Sequence, residues 1–201
     1  EHDWTESSHA SAALSYADLS YRSNRQIQLG TATRSLCGDT DGSRLAAGLE
    51  LAYALEQGSL RHGPLASLLW QRVKVDGFDE HATDGSRSSN LTHTSQKRES
   101  TVLSAGWQAM LHAGRWTPYG SVLLNHDFDA GTRTLRMRGT ASDAFFGLST
   151  SATPDTYVSL NAGALWRISP QAMLDLNVEA QPRRKGMEDV RVTLGLRMTL
   201  D

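Results

Sequence analysis

From Val190 to Leu200 the chain alternates without a break. Val190, Val192, Leu194, Leu196, Met198 and Leu200 are apolar, while Arg191, Thr193, Gly195, Arg197 and Thr199 between them are polar or small. Successive side chains of a strand point to opposite faces, so this stretch lays an apolar stripe on one side of a sheet and two arginines on the other. Its length matches that of a bilayer-crossing strand, about 9–11 residues. A chain carrying such a segment needs apolar surroundings on one side of a sheet and water or polar groups on the other.

The pattern recurs. Counting back from the end, strand-like segments fall at 190–200, 172–180, 156–168, 116–128, 99–111, 62–75, 43–55 and 10–21, separated by Gly, Asp, Ser and Pro clusters. No stretch keeps a helical period, and the chain reads as all-β and antiparallel. Segment 156–168 sets Val158, Leu160, Ala162, Ala164 and Trp166 against Ser159, Asn161, Gly163 and Arg167. Segment 172–180 sets Leu174, Leu176 and Val178 against Asp175, Asn177 and Glu179, and segment 43–55 sets Leu45, Leu49, Leu51 and Tyr53 against Gly48 and Glu50. The ions Glu50, Arg167, Asp175, Glu179, Arg191 and Arg197 therefore share one face. In a barrel open to lipid that face is the lumen, where the charges line a polar passage or pair across strands. Small residues on it, Gly48, Gly106, Gly163 and Gly195, leave room for something inside. Segment 62–75 carries apolar side chains on both faces around Leu68-Leu69-Trp70, which leaves its facing open and allows a bulge.

Connection lengths favour the membrane. Tight connections at 56–61, 112–115 and 169–171 alternate with long ones at 22–42, 76–98, 129–155 and 181–189, as expected for strands that cross back and forth between short periplasmic turns and longer external loops. This parity treats Arg25–Leu29 and Thr132–Arg138 as parts of external excursions. Tyr53, Trp107, Trp116 and Trp166 lie near the tight-turn ends, an aromatic girdle at one water interface.

Composition narrows the alternatives. A net charge of −2 offers no basic field for nucleic acid, and a mean hydropathy of −0.42 with no long apolar run excludes a transmembrane helix. A β-barrel escapes that test, because every second residue faces the lumen. The single Cys37 rules out a disulfide framework. Neither a Gly-x-Ser-x-Gly elbow nor a His-Glu-x-x-His helix nor a phosphate-binding Gly-rich loop is present. Asp39-Thr40-Asp41-Gly42-Ser43 has its Gly at the fourth position, where a calcium loop needs the sixth, and Gly38-Asp39-Thr40 reads as a turn. The seven histidines are scattered and read as solvated. No catalytic, cofactor or metal-binding residue is assigned. A lipocalin-type soluble barrel conflicts with the charged inner face; an independent eight-stranded outer-membrane barrel, acting as adhesin or small pore, stays open as an alternative.

A family resemblance rests on particular residues. The block Gly63-Pro64-Leu65-Ala66-Ser67-Leu68-Leu69-Trp70-Gln71-Arg72-Val73-Lys74-Val75-Asp76-Gly77-Phe78, then Gln96-Lys97-Arg98-Glu99-Ser100, Gly106-Trp107-Gln108 and Trp116-Thr117-Pro118-Tyr119, resembles the C-terminal translocator barrel of autotransporters. It is similar above all to the branch whose passenger is a GDSL-type esterase or lipase. The resemblance implies a twelve-stranded barrel threaded by a helix, of which residues 1–201 supply the fifth to twelfth strands. The first strands and the passenger would then precede Glu1 in a longer precursor. It implies a translocator and anchor in the outer membrane of a Gram-negative bacterium that exports or displays its N-terminal passenger. The partners implied are outer-membrane lipid, the passenger with its threading helix, and the barrel assembly machinery. The catalytic residues would belong to the passenger and not to these 201 residues, and the closing strand Val190 to Leu200 would be the assembly strand.

Overall fold

A computed structural model of the chain describes residues 2–5, 7–139, 144–150, 152, 154–184 and 187–199. The strands are β1 (His2–Thr5), β2 (Ser8–Leu29), β3 (Ala32–Tyr53), β4 (Leu55–Gln57), β5 (Leu60–Val75), β6 (Phe78–Asp79), β7 (His81–Ala82), β8 (Leu91–His93), β9 (Gln96–Leu111), β10 (Trp116–Asp127), β11 (Thr134–Gly139), β12 (Phe145–Ser149), β13 (Thr156–Arg167), β14 (Ala172–Arg184) and β15 (Met187–Met198). The main sheet runs β1-β2-β3-β5-β9-β10-β13-β14-β15, antiparallel at every step, with β4 and β7 as short additions. Each of the eight segments read from the alternation falls on one of its eight long strands. Among the described residues no ladder joins β15 back to β1 or β2.

The tight turns gather at one end of this sheet. Gly58 and Gly114 supply positive φ values of +62° and +66° there, which a side chain would disfavour. The third turn closes with reciprocal bonds between Ser169 and Ala172. Thr5 pairs with Ser8 at the same end, so β1 enters the sheet as the neighbour of β2 with the same up-and-down parity.

Two of the long connections are not loops. Residues 22–42 continue β2 and β3 as one ladder that pairs Ser8 with Tyr53 at the bottom and Leu29 with Ala32 at the top, turning on Gly30-Thr31. At about 3.3 Å per residue each strand is roughly 70 Å long, far beyond what a bilayer requires. The expected turn at Gly38-Asp39-Thr40 therefore lies in the middle of a strand. Residues 181–189 likewise extend β14 and β15 as far as the Arg184–Met187 pair, with a register shift after Gln181. The remaining connections do leave the sheet. Together 76–98 and 129–155 build a second sheet, β12-β11-β8-β6, beside the upper half of the long hairpin.

Candidate functional site

Register settles which residues share a face. One row runs Ala12–Leu49–Leu68–Leu103, and another Val122–Leu160–Ala180–Val190, each step a direct cross-strand pair. The same face carries Leu14, Tyr16, Leu51, Leu124, Val158, Leu176 and Val178, and these are exposed, Leu14 by 77% and Leu194 by 69%. An apolar surface that is continuous over eight strands and bare of covering protein far exceeds what a soluble monomer shows. Along β3 it lasts from Leu45 to Tyr53, about 26 Å along the strand or about 20 Å along the membrane normal at a tilt of about 40°, close to the height of the apolar band of an outer-membrane barrel.

Both ends of the band carry aromatic side chains. Tyr53, Trp107, Trp116 and Trp166 sit on the apolar face at the tight-turn end, where Trp116 and Trp166 are register partners with stacked rings 5.1 Å apart. At the opposite end Trp70 and Tyr16 occupy the same face, and the Arg72 guanidinium stands 5.3 Å from the Trp70 ring centroid. The sequence reading missed this second belt, because Trp70 lies inside a segment whose facing it left open. No bulge is needed in β5: its ladders with β3 and β9 run without a register shift, and Leu68 and Trp70 face outward while Leu69 faces inward. Three of the inner apolar residues of β5 lie opposite glycines, Leu65 across from Gly106, Leu69 from Gly48 and Val75 from Gly42, while Val73 lies between Arg44 and Arg98.

The opposite face is polar. Glu50, Arg167, Asp175, Glu179, Arg191 and Arg197 all lie on it. Glu179 and Arg191 are direct partners with 3.9 Å between charged atoms, and Arg167 and Arg197 flank Met173. Asp175 accepts a 2.8 Å bond from the Tyr119 hydroxyl, which in turn accepts one of 3.0 Å from the Asn177 amide; Asn177 and Asn161 also exchange bonds of 3.2 Å. Tyr119 lies across Gly163, where a Cβ would come within 2.5 Å of the ring and 2.7 Å of the Leu176 carbonyl oxygen. The space at Gly163 is thus filled from within the sheet, as Leu69 fills that at Gly48, and these two glycines do not widen the interior as expected. Further up, the buried Ser104 donates to Asn125, whose amide donates to Ser159, and the buried Ser100 donates to Asp127. A groove of about 1020 Å³ remains on this face near the tight turns, lined by Glu50, Glu56, Arg61, Gln108, Tyr119 and Asn161 among others. Its size and its mixed lining, which also includes Ala52, Ala54, Ala109 and Met110, suit an extended or helical peptide segment with both polar and apolar side chains. Leu200, the last member of the alternating strand, lies outside the described residues; Val190, Val192, Leu194, Leu196 and Met198 continue the apolar face.

Above the band a second centre forms around Glu80, only 2% exposed. Arg25 on the hairpin extension grips both of its carboxylate oxygens, the His93 ring approaches at 3.2 Å, and the Leu91 amide donates at 3.2 Å. Burial alone would raise its pKa, but the bonds from Arg25, His93 and Leu91 outweigh it and hold the carboxyl below its ordinary value of 4.5. The Phe78 ring stacks on His93 at 4.4 Å and covers Gly38, and Leu36 is buried beside Ala82. His93 is therefore no solvated histidine. Nothing in the sequence marks Glu80, one of several carboxylates in a polar connection. Arg25, Arg34, Leu36 and Gly38 sit on the polar face of the hairpin, so the second sheet leans over that side of the main one.

Comparison with known proteins agrees with this construction. Residues 2–179 match the autotransporter β-domain family. The chain is 27% identical over 203 residues to esterase EstA of Pseudomonas aeruginosa, covering 98% of this chain and 30% of that protein. It is 31% identical over 156 residues to an uncharacterized protein in the trpE-trpG intergenic region of Pseudomonas putida, covering 76% of this chain and 25% of that protein. Lipase 1 of Photorhabdus luminescens is 26% identical over 152 residues, 73% of this chain and 22% of that protein. The chain thus spans less than a third of the length of these relatives. An exposed apolar band, a polar opposite face, up-and-down parity and a family match over most of the sequence lead to one assignment: the chain belongs to the autotransporter β-domain family, whose members are outer-membrane translocators and not themselves catalysts.

Proposed function

We propose that this chain anchors in the outer membrane of a Gram-negative bacterium and carries its own N-terminal passenger, of esterase or lipase type, to the cell surface. The observation that carries the reading is the apolar band across eight adjoining strands, backed by a polar face that holds a groove. The named relatives, an esterase and a lipase that the chain covers only in part, support the passenger's chemistry, and its catalytic residues would lie outside these strands.

The edges call for more chain. An edge strand in lipid exposes backbone donors and acceptors that hydrocarbon cannot satisfy, at several kcal/mol for each group. Further strands between β1 and β15, together making a barrel of twelve, would remove both edges, and a helix leading to the passenger would occupy the groove. In this reading Tyr53, Trp107, Trp116 and Trp166 mark the periplasmic interface, the six ions line the lumen, and Val190 to Leu200 is the strand the barrel assembly machinery engages.

The test is to express the full-length precursor in a Gram-negative host and shave intact cells with protease. Release of esterase activity from the surface, and its loss when the closing strand is deleted, is the expected result. Esterase activity confined to the periplasm with a membrane-inserted barrel would overturn the export role.

A further inference from the structure

Like charges meet where the apolar band ends. The outward pairs of β5 and β9 run Pro64–Trp107, Ala66–Ala105, Leu68–Leu103, Trp70–Thr101, Arg72–Glu99 and Lys74–Lys97. The ten residue-to-residue steps from Pro64 to Lys74 measure about 33 Å along the strand, or roughly 25 Å along the membrane normal at a tilt of about 40°. That is the height of the apolar band, and it sets Arg72, Lys74 and Lys97 at the level of lipid headgroups on the side of the loop layer.

Lys74 and Lys97 are direct cross-strand partners, an arrangement that destabilises a sheet left to itself. Their carboxylates lie along their own strands and do not separate them: Lys74 reaches Asp76 at 2.8 Å and Lys97 reaches Glu99 at 3.2 Å. Glu99 is already engaged by Arg72 at 2.7 Å, so one carboxylate serves two cations. Beyond Lys74 in the same row come Ser43 and then Asp18, two strands and about 10 Å away, which accepts the Tyr16 hydroxyl. The two strands thus present three cations against two carboxylates, all partly exposed and directly above an aromatic belt.

We propose that Arg72, Lys74 and Lys97 bind a phosphate monoester on a lipid headgroup in the leaflet facing the loop layer. A phosphate between the two ammonium groups cancels their repulsion, and its three acceptor oxygens match lysine and arginine donors. The bilayer itself delivers this anion at this height, and the aliphatic stems of both lysines lie along apolar surface. The inference rests on the membrane-spanning reading.

The full-length protein is reconstituted into phosphatidylethanolamine nanodiscs containing either a bisphosphorylated glycolipid (lipid A) or the same glycolipid with its phosphates removed. Lipid retained on release from the disc is counted by native mass spectrometry. Retention of the phosphorylated lipid is expected, with a loss of about tenfold in the Lys74→Gln/Lys97→Gln variant, in line with removal of two charge-assisted bonds. Arg22→Gln, higher on the same face, is expected to retain it fully. Because the double variant also relieves repulsion, it is expected to withstand heat at least as well as the parent in discs with the dephosphorylated glycolipid and less well in discs with the phosphorylated one. Equal retention by parent and double variant, or equal retention of the dephosphorylated lipid, overturns the site and leaves the barrel standing. Inorganic phosphate binding to the detergent-held protein as tightly as the lipid overturns the lipid assignment in favour of the free anion. Failure to enter the disc overturns the membrane reading and the site with it.

Discussion

Strand β3 passes through both halves of the molecule, and its outward side chains change character partway along. From Tyr53 up to Leu45 they are apolar and bare; from Ser43 to Asp39 the same face is polar, and Asp39 pairs with Arg22 across the ladder. The inner face changes in the opposite sense, from Glu50 in the lower half to the buried Leu36 in the upper. The lower region keeps polar groups inside and exposes large apolar ones, whereas the upper region buries Leu36 and Met137 around the Glu80 network. A single extended strand can obey both rules because backbone pairing is indifferent to them; the solvent on each side selects the side chains.

The contrast can be broken most severely in the lower region. Leu160→Arg, on the apolar face between Val122 and Ala180, is expected to cost about 2–4 kcal/mol in lipid vesicles by denaturant unfolding, whereas Leu148→Arg in the second sheet is expected to be near neutral. Gly163→Ala comes next, at about 1–3 kcal/mol, since the new methyl meets both the Tyr119 ring and the Leu176 carbonyl and only the ring can rotate away. Its measured loss should shrink in a Tyr119→Ala background, because one of the two clashes is gone.

The upper region should fail locally. Glu80→Gln leaves Arg25, which is 34% exposed, without its anion and is expected to cost about 1–2 kcal/mol, seen as faster amide exchange over 76–98 while the main sheet stays protected. Acid should act in the same direction. The folded pKa of Glu80 lies below its ordinary value, so its contribution is fully present above the ordinary carboxylate range and is lost as pH falls through the folded value. Between about pH 6 and pH 3 the 76–98 segment is expected to become protease-sensitive before the main sheet does. Smallest of all, Arg22→Gln removes an ion pair exposed on both sides and is expected to leave the unfolding midpoint unchanged.

Legibility follows the same divide. Strands such as β13 and β15 were readable because one face meets lipid and the other water, which writes period two into the sequence. Segment 62–75 blurred that signal because Leu65, Leu69 and Val75 fill space opposite inner glycines, making its polar face partly apolar. Residues 22–42 read as a long connection because above the membrane the outward face meets water while the inward face mixes the buried Leu36 with Arg25 and Arg34, so no sustained alternation marks them as strand. Alternation alone separates the six ions from the girdle, and the cross-strand register sorts the two sets onto opposite sides of the sheet. Glu80 was invisible, since its partners Arg25 and His93 lie 55 and 13 residues away and only tertiary structure joins them.

The most direct test of the two-sided sheet is a nitroxide scan of β13 from Tyr157 to Leu165 in the full-length protein, in a Cys37→Ser background and in lipid vesicles. Collision with oxygen dissolved in the bilayer should peak at positions 158, 160, 162 and 164, and collision with a water-soluble nickel chelate at 159, 161 and 163. Oxygen maxima at the second set, or no alternation at all, would contradict the account.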